Sequence, residues 1–201
     1  MIAPIILSGP SGVGKTYLEK YLIQHHNFKR IQSTVTRSMR PGEINGLDYE
    51  FITEEEYKQF ELRGAFVTSL HAVSAYRGLR KEHVINIMKE RKIPICVLVP
   101  QVMEQFIKAY PNTIAIFLKP HDTNLLINRM RLRKDTEEQI QYRLNETLRE
   151  IQEYEKLKHL YKACLTVTEN NFEEIVAQVL SLLSKSDLSS ATYAHNESSS
   201  Q

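Results

Sequence analysis

The chain has 201 residues, 42% of them hydrophobic and 25% charged, which suits one α/β domain with a sizeable core and is too short for two ordinary domains. Its 26 basic and 24 acidic residues leave a net charge of +2, so no global field points to nucleic acid or an anionic membrane, and any anion must be held by locally placed basic groups. The longest apolar runs, such as residues 93–100, fall far short of a membrane span.

Short apolar runs alternate with longer helical patterns. The run over 2–7 predicts a strand, and with no basic stretch or cleavage site around it no secretory signal is expected. A glycine-rich turn leads to a helical pattern over 15–26, and a second strand is expected over 28–33. Residues 34–79 break the rhythm: Pro41-Gly42, Asn45-Gly46 and short alternating pieces suggest a small insertion with hairpin character. Helices over 80–89, 102–110, 122–133, 136–160 and 171–183 then alternate with strands over 95–99, 113–118 and 164–167. This predicts one domain over 1–183, with a mostly parallel sheet, helices on both faces and a core drawn from 1–33 and 80–183. From 184 to 201 the chain turns polar and aperiodic, and a disordered tail is expected. The two cysteines, Cys96 and Cys164, sit in apolar stretches and are expected to be buried, reduced thiols on strands, in keeping with a cytoplasmic location.

The strongest motif is Gly9-Pro10-Ser11-Gly12-Val13-Gly14-Lys15-Thr16, which fits G-x-x-x-x-G-K-[ST] in full between a predicted strand and a predicted helix. It implies the P-loop fold and an ATP site. Gly9, Gly12 and Gly14 let the backbone turn its N–H groups inward, toward phosphate oxygens. Ser11 and Val13 complete the cradle, and the helix N-terminus adds partial positive charge. Lys15 supplies a mobile charge for the β- and γ-phosphates, and the Thr16 hydroxyl is the expected magnesium ligand.

The loop does not choose the acceptor; the next segment bears on it. Ser33-Thr34-Val35-Thr36-Arg37-Ser38-Met39-Arg40-Pro41-Gly42-Glu43, then Asn45-Gly46-Leu47-Asp48-Tyr49-Glu50-Phe51, resembles the guanylate kinase signature. Two guanidinium forks and a phenol, Arg37, Arg40 and Tyr49, can clamp one phosphate dianion. The resemblance runs from about residue 3 to 183. It implies that 34–79 is an acceptor-binding insertion, that Arg37, Arg40 and Tyr49 hold the phosphate of GMP, and that Ser33, Thr68, Tyr76 and Gly78 also line the acceptor site. It further implies a mobile helical lid over about 125–145. Its Arg129, Arg133 and Arg143 would act with Lys15 and Arg37 on the transferring phosphoryl group. Lys134 stands where the family has a glycine, and the lid is about one residue shorter.

The departures lie in the base pocket. Thr68 stands in place of a family glutamate, Arg77 of a tyrosine and Leu79 of a hydroxyl residue, and Val97 and Val99 replace the two acids of an Asp-x-Asp strand end. Three functions follow from these residues. One is a guanylate kinase with a rebuilt base pocket and reduced activity on GMP or dGMP. Another is a kinase for a different phosphorylated acceptor: Thr68-Ser69-Leu70-His71-Ala72 and Val97-Leu98-Val99 resemble ribose 1,5-bisphosphate phosphokinases. The third is a non-catalytic binding module, against which the intact loop argues. Partners are expected to be ATP and a small phosphorylated acceptor such as GMP, with no nucleic acid and no membrane, in a monomer or homodimer.

Overall fold

Two sheets carry the computed structural model, which describes residues 2–72 and 75–196. The larger has five parallel strands in the order β2-β7-β1-β8-β9, formed by Phe28–Arg30, Ile93–Val97, Ile5–Ser8, Ile114–Pro120 and Ala163–Val167. The smaller has the order β4-β3-β6-β5, from Glu50–Phe51, Ser33–Val35, Ala75–Arg80 and Phe66–Ala72. The expected strand over 28–33 is therefore divided: β2 joins the large sheet, and Ser33 opens β3 of the small one.

Central parallel strands are buried on both faces and read as unbroken apolar runs, which is the character of β1 and β8. Alternate residues serve two cores. Ile5, Leu7, Ile95, Ile116 and Leu118 point into one. It is covered by α1 (Lys15–His25), α5 (Thr123–Leu132), α6 (Glu137–Leu157) and α7 (Phe172–Asn196), through residues such as Leu22, Leu126, Ile140 and Val176. Ile6, Cys96 and Ala115 point into the other, under α3 (Lys81–Lys89) and α4 (Met103–Ala109) with Val84, Ile87 and Phe106. The helices on both faces are as expected. Among the described residues no helix is long and apolar enough to cross a membrane.

Three expectations need correction. The insertion holds a helix, α2 (Glu54–Leu62), between its strands. Its start is a capping box in which Thr53 accepts from the Glu56 amide and Glu56 accepts from the Thr53 amide, the T-x-x-E signal being already present in the sequence. Cys164 is exposed, while Cys96 is buried: β9 is an edge strand whose Leu165 and Val167 turn inward, leaving Cys164 to face out. The tail expected to be disordered from 184 is helical to Asn196 as the continuation of α7. Extending a formed helix needs no new nucleus, and 184–196 contain neither glycine nor proline. Residues 197–201 lie outside the described ones.

A polar cluster joins the small sheet to α3. Arg80, at the N-cap of α3, pairs with Glu50 of β4 and with Glu82 at 2.9 Å. Thr34 Oγ1 donates to Glu50 at 2.5 Å, and the His83 ring lies 3.0 Å from the Gln32 carbonyl. Within the sheet, β6 passes β5 and α2 so closely that a Cβ on Gly78 would lie 2.6 Å from Phe66 Cδ1 and 2.7 Å from both the Thr68 carbonyl and the Tyr57 hydroxyl. Gly78→Ala should therefore cost roughly 1–3 kcal/mol by overpacking, a fall of several degrees in melting temperature. An unchanged thermal transition would contradict this packing.

Candidate active site

The phosphate loop leaves β1 at Gly9 with φ +133°, where a Cβ would lie 2.2 Å from the Leu118 carbonyl oxygen of β8. Only glycine meets both demands. The loop then enters α1 through Gly14, and no side chain caps that first turn, an arrangement of a helix start that suits an anion. The Lys15 ammonium donates to the carbonyls of Gly9 and Pro10, the latter at 2.9 Å. Burial lowers its pKa, and the charge of Glu150 partly opposes that shift.

Two of the three lid arginines named from the sequence converge on this loop. Arg129 Nη1 donates to the Val13 carbonyl at 2.9 Å and the Gly12 carbonyl at 3.3 Å. Burial lowers its pKa. Arg143 Nη1 donates to Ser11 Oγ at 3.3 Å. Arg133 instead pairs with Asp135 at 3.2 Å, although it still lines the cleft. Asp135 also lies 3.6 Å from Arg143, so it ties the two segments together. Lys134 has φ +63°. It holds the left-handed turn that a glycine takes without strain, so the replacement keeps the turn at an energetic cost. Around the loop opens a cleft of about 680 Å³, lined by Ser11 through Thr16, Arg129, Arg133 and Glu169, a size suited to a nucleotide.

On the side expected to take the acceptor, Arg37 makes two bonds of 2.6 Å to the carboxylate of Glu43, which also accepts from the Arg40 amide at 2.8 Å. These bonds pull the Glu43 pKa down to about 2. Arg37 also lies over the rings of Tyr49 and Phe51, at 5.1 and 5.4 Å. From the other direction Arg77 donates to the Tyr49 hydroxyl at 2.8 Å and lies 5.1 Å over the same ring. Tyr49 is thus held by two guanidiniums, of which sequence reading placed only Arg37 in the clamp. Arg40 is exposed on the same turn.

Beyond the clamp is a cavity of about 110 Å³ lined by Lys15, Ser33, Thr68, Arg77, Gly78 and Glu150 together with Leu70, Leu79, Val97 and Val99. The structure brings Ser33, Thr68 and Gly78, three of the residues expected to line the acceptor site, together around this cavity. Tyr76 is not among the lining residues; its ring stacks on His71 at 4.4 Å. Glu150 is a member that sequence reading missed. Its one sequence signal is its spacing of seven residues from Arg143 on a helix.

The family model described as guanylate kinase matches residues 1–186. The guanylate kinase of Helicobacter pylori is 39% identical over 160 residues, 78% of this chain and 77% of that protein. The guanylate kinase of Mesomycoplasma hyopneumoniae is 34% identical over 190 residues, 90% of this chain and 93% of that one. In three dimensions the crystal structure of guanylate kinase from Anaplasma phagocytophilum aligns with a TM-score of 0.67 at 21% identity, covering 91% of this chain and 85% of that one, which shows a shared fold.

The three arginines around α5 and α6 should separate in titrations with ATP. Arg129→Ala and Arg143→Ala each remove a charged group at the loop and should weaken binding about tenfold to a hundredfold. Arg131 pairs with Glu137 at 3.0 Å on the surface, and Arg131→Ala should stay within about twofold. Equal losses in all three variants would contradict this geometry.

Proposed function

We infer from membership of the guanylate kinase family, to which this chain belongs, that it passes the γ-phosphate of ATP to GMP or dGMP. The observation that carries this reading is that Lys15 lines both the cleft at the phosphate loop and the cavity beside the Arg37–Tyr49–Arg77 group. One side chain thus borders the donor space and the acceptor space, where a phosphoryl group would cross.

Transfer between phosphates needs alignment and charge neutralisation more than covalent chemistry. The α1 amides, Arg129 and Arg143 hold the donor, while Arg37, Arg40 and Tyr49 hold the acceptor phosphate. An acceptor phosphate oxygen is already anionic, so no strong general base is needed. Magnesium fits this donor set: it keeps most of its waters and takes few protein ligands, and Thr16 offers one hydroxyl in the cleft. When bound, the ion neutralises charge on the β- and γ-phosphates.

The acceptor cavity supports reduced activity on GMP. Thr68 offers one hydroxyl where the family resemblance places a carboxylate, and Leu70, Leu79, Val97 and Val99 line the wall with apolar surface. A site rejects analogues strongly only through the polar groups it presents. Arg77 supports a second reading, an acceptor bearing another anionic group such as a sugar bisphosphate, since it adds a cation to the clamp.

The kcat/KM for GMP should fall below about 10⁴ M⁻¹s⁻¹, measured beside dGMP, other nucleoside monophosphates and ribose 1,5-bisphosphate. Installing Thr68→Glu, Leu79→Ser, Val97→Asp and Val99→Asp together should raise it. A higher value in the unmodified protein would refute the reduced-activity reading. Arg37→Ala should raise the acceptor KM about tenfold or more with ATP affinity nearly unchanged; the opposite pattern would move Arg37 to the donor site.

A further inference from the structure

Helix α6 meets the phosphate loop along one stripe. Its buried residues are Ile140 and Thr147. Arg143, between them, reaches Ser11, and Glu150 follows Arg143 by seven residues. Seven residues fall just short of two helical turns, so Glu150 shares the stripe that turns Ile140 and Thr147 inward. It is not a solvated surface acid. Its Oε2 is shut off from solvent and has no hydrogen-bond partner among the described residues. The carboxylate lines the 110 Å³ cavity with Lys15 and Arg77 and is the only acid among the described residues that do so. A buried carboxylate oxygen left unpaired is costly, and few native structures keep one without a reason.

The reason suggested by the surroundings is charge. The two loop carbonyls take two of the three donors of the Lys15 ammonium, and Val97 and Val99 leave the β7 end of this cavity without a carboxylate. Glu150 brings a carboxyl group to this cavity from a different element; burial raises its pKa, and the charge of Lys15 partly opposes that shift. In a poorly hydrated cavity, attraction between opposite charges is several times stronger than in water.

We propose that Glu150 is a positioning residue: its negative charge holds the Lys15 ammonium at the seam between the ATP cleft and the acceptor cavity, in the orientation that engages ATP. The proposal rests on the reading of Lys15 as the lysine of the ATP site. It predicts coupling between two residues that share no hydrogen bond in the structure. A carboxylate with no such role would only repel ATP, and removing it would tighten binding.

The test is equilibrium titration of the full-length protein with magnesium and ATP, in four forms: unmodified, Glu150→Gln, Lys15→Met and the double variant. Glu150→Gln keeps the shape and drops the charge. It should weaken ATP binding on the order of tenfold when Lys15 is present, and should weaken it no further in the Lys15→Met background. Glu150→Asp keeps the charge and should recover at least half of the lost affinity on a logarithmic scale. Melting curves check that each variant folds, and Glu150→Met is a second charge-free form should Glu150→Gln not fold. Unchanged or tighter binding in the charge-free variants would overturn the proposal. So would a loss of equal size in both lysine backgrounds. If Lys15→Met alone leaves ATP affinity intact, the ATP-site reading itself fails, an outcome distinct from the failure of Glu150.

Discussion

The phosphate loop can leave β1 because residue 9 has no side chain. At that point the backbone passes so close to the Leu118 carbonyl that even a methyl group would overlap it, and the φ of +133° is one that only glycine adopts readily. Because β1 lies between β7 and β8 in parallel register, this close pass fixes the loop against the middle of the sheet. The start of α1 follows from the loop, Lys15 follows from α1, and Arg129 and Arg143 then find the loop's carbonyls and hydroxyl. The phosphate-loop half of the site is thus a chain of backbone placements that ends in three cations.

The half proposed to take the acceptor is built differently. Its sheet is short, and polar contacts do much of the work of attaching it: Arg80, Glu50, Thr34, His83 and Glu82 link β3, β4, β6 and α3. Apolar contacts are added through Val67 and Leu79, which join the same core as Ile6 and Phe106. Ion pairs and hydrogen bonds have narrower geometric tolerance than apolar packing, so this junction specifies orientation. That matters here, because the seam holding Lys15 lies between the two halves.

Much of the phosphate loop's geometry was legible in the sequence, since its motif constrains the backbone residue by residue. The lid arginines came through a resemblance, and two of the three reach the loop. At Lys134, where the resemblance places a glycine, the backbone is left-handed with a side chain present. Other features were hidden for physical reasons. Helix α2 is nine residues long with three glutamates in its first turn, too short and polar for apolar periodicity to reveal, although its capping box was in plain view. Glu150 could not be read as a site residue because helical spacing tells which residues share a face, not where that face points. The continuation of α7 was missed because composition describes an isolated segment, whereas a helix already anchored by Ile175, Val176 and Val179 carries its neighbours along. Arg77 was visible as a substitution, but its partnership with Tyr49 joins residues 28 positions apart.

The bond between Arg37 and Glu43 gives the clamp a character of its own. Both terminal nitrogens of the guanidinium already donate to a carboxylate that stays ionised down to strongly acidic pH. A phosphate arriving at the proposed clamp would have to share or displace that internal anion, and would gain only the difference between itself and Glu43. If the proposed clamp takes a phosphate, the arrangement would work as an ion exchanger. Singly charged competitors such as chloride or acetate would offer little over the resident carboxylate, whereas a phosphate dianion, with twice the charge and three oxygens, would compete better. Under the proposed function, Glu43 would therefore set a threshold on charge ahead of any reading of the acceptor's shape.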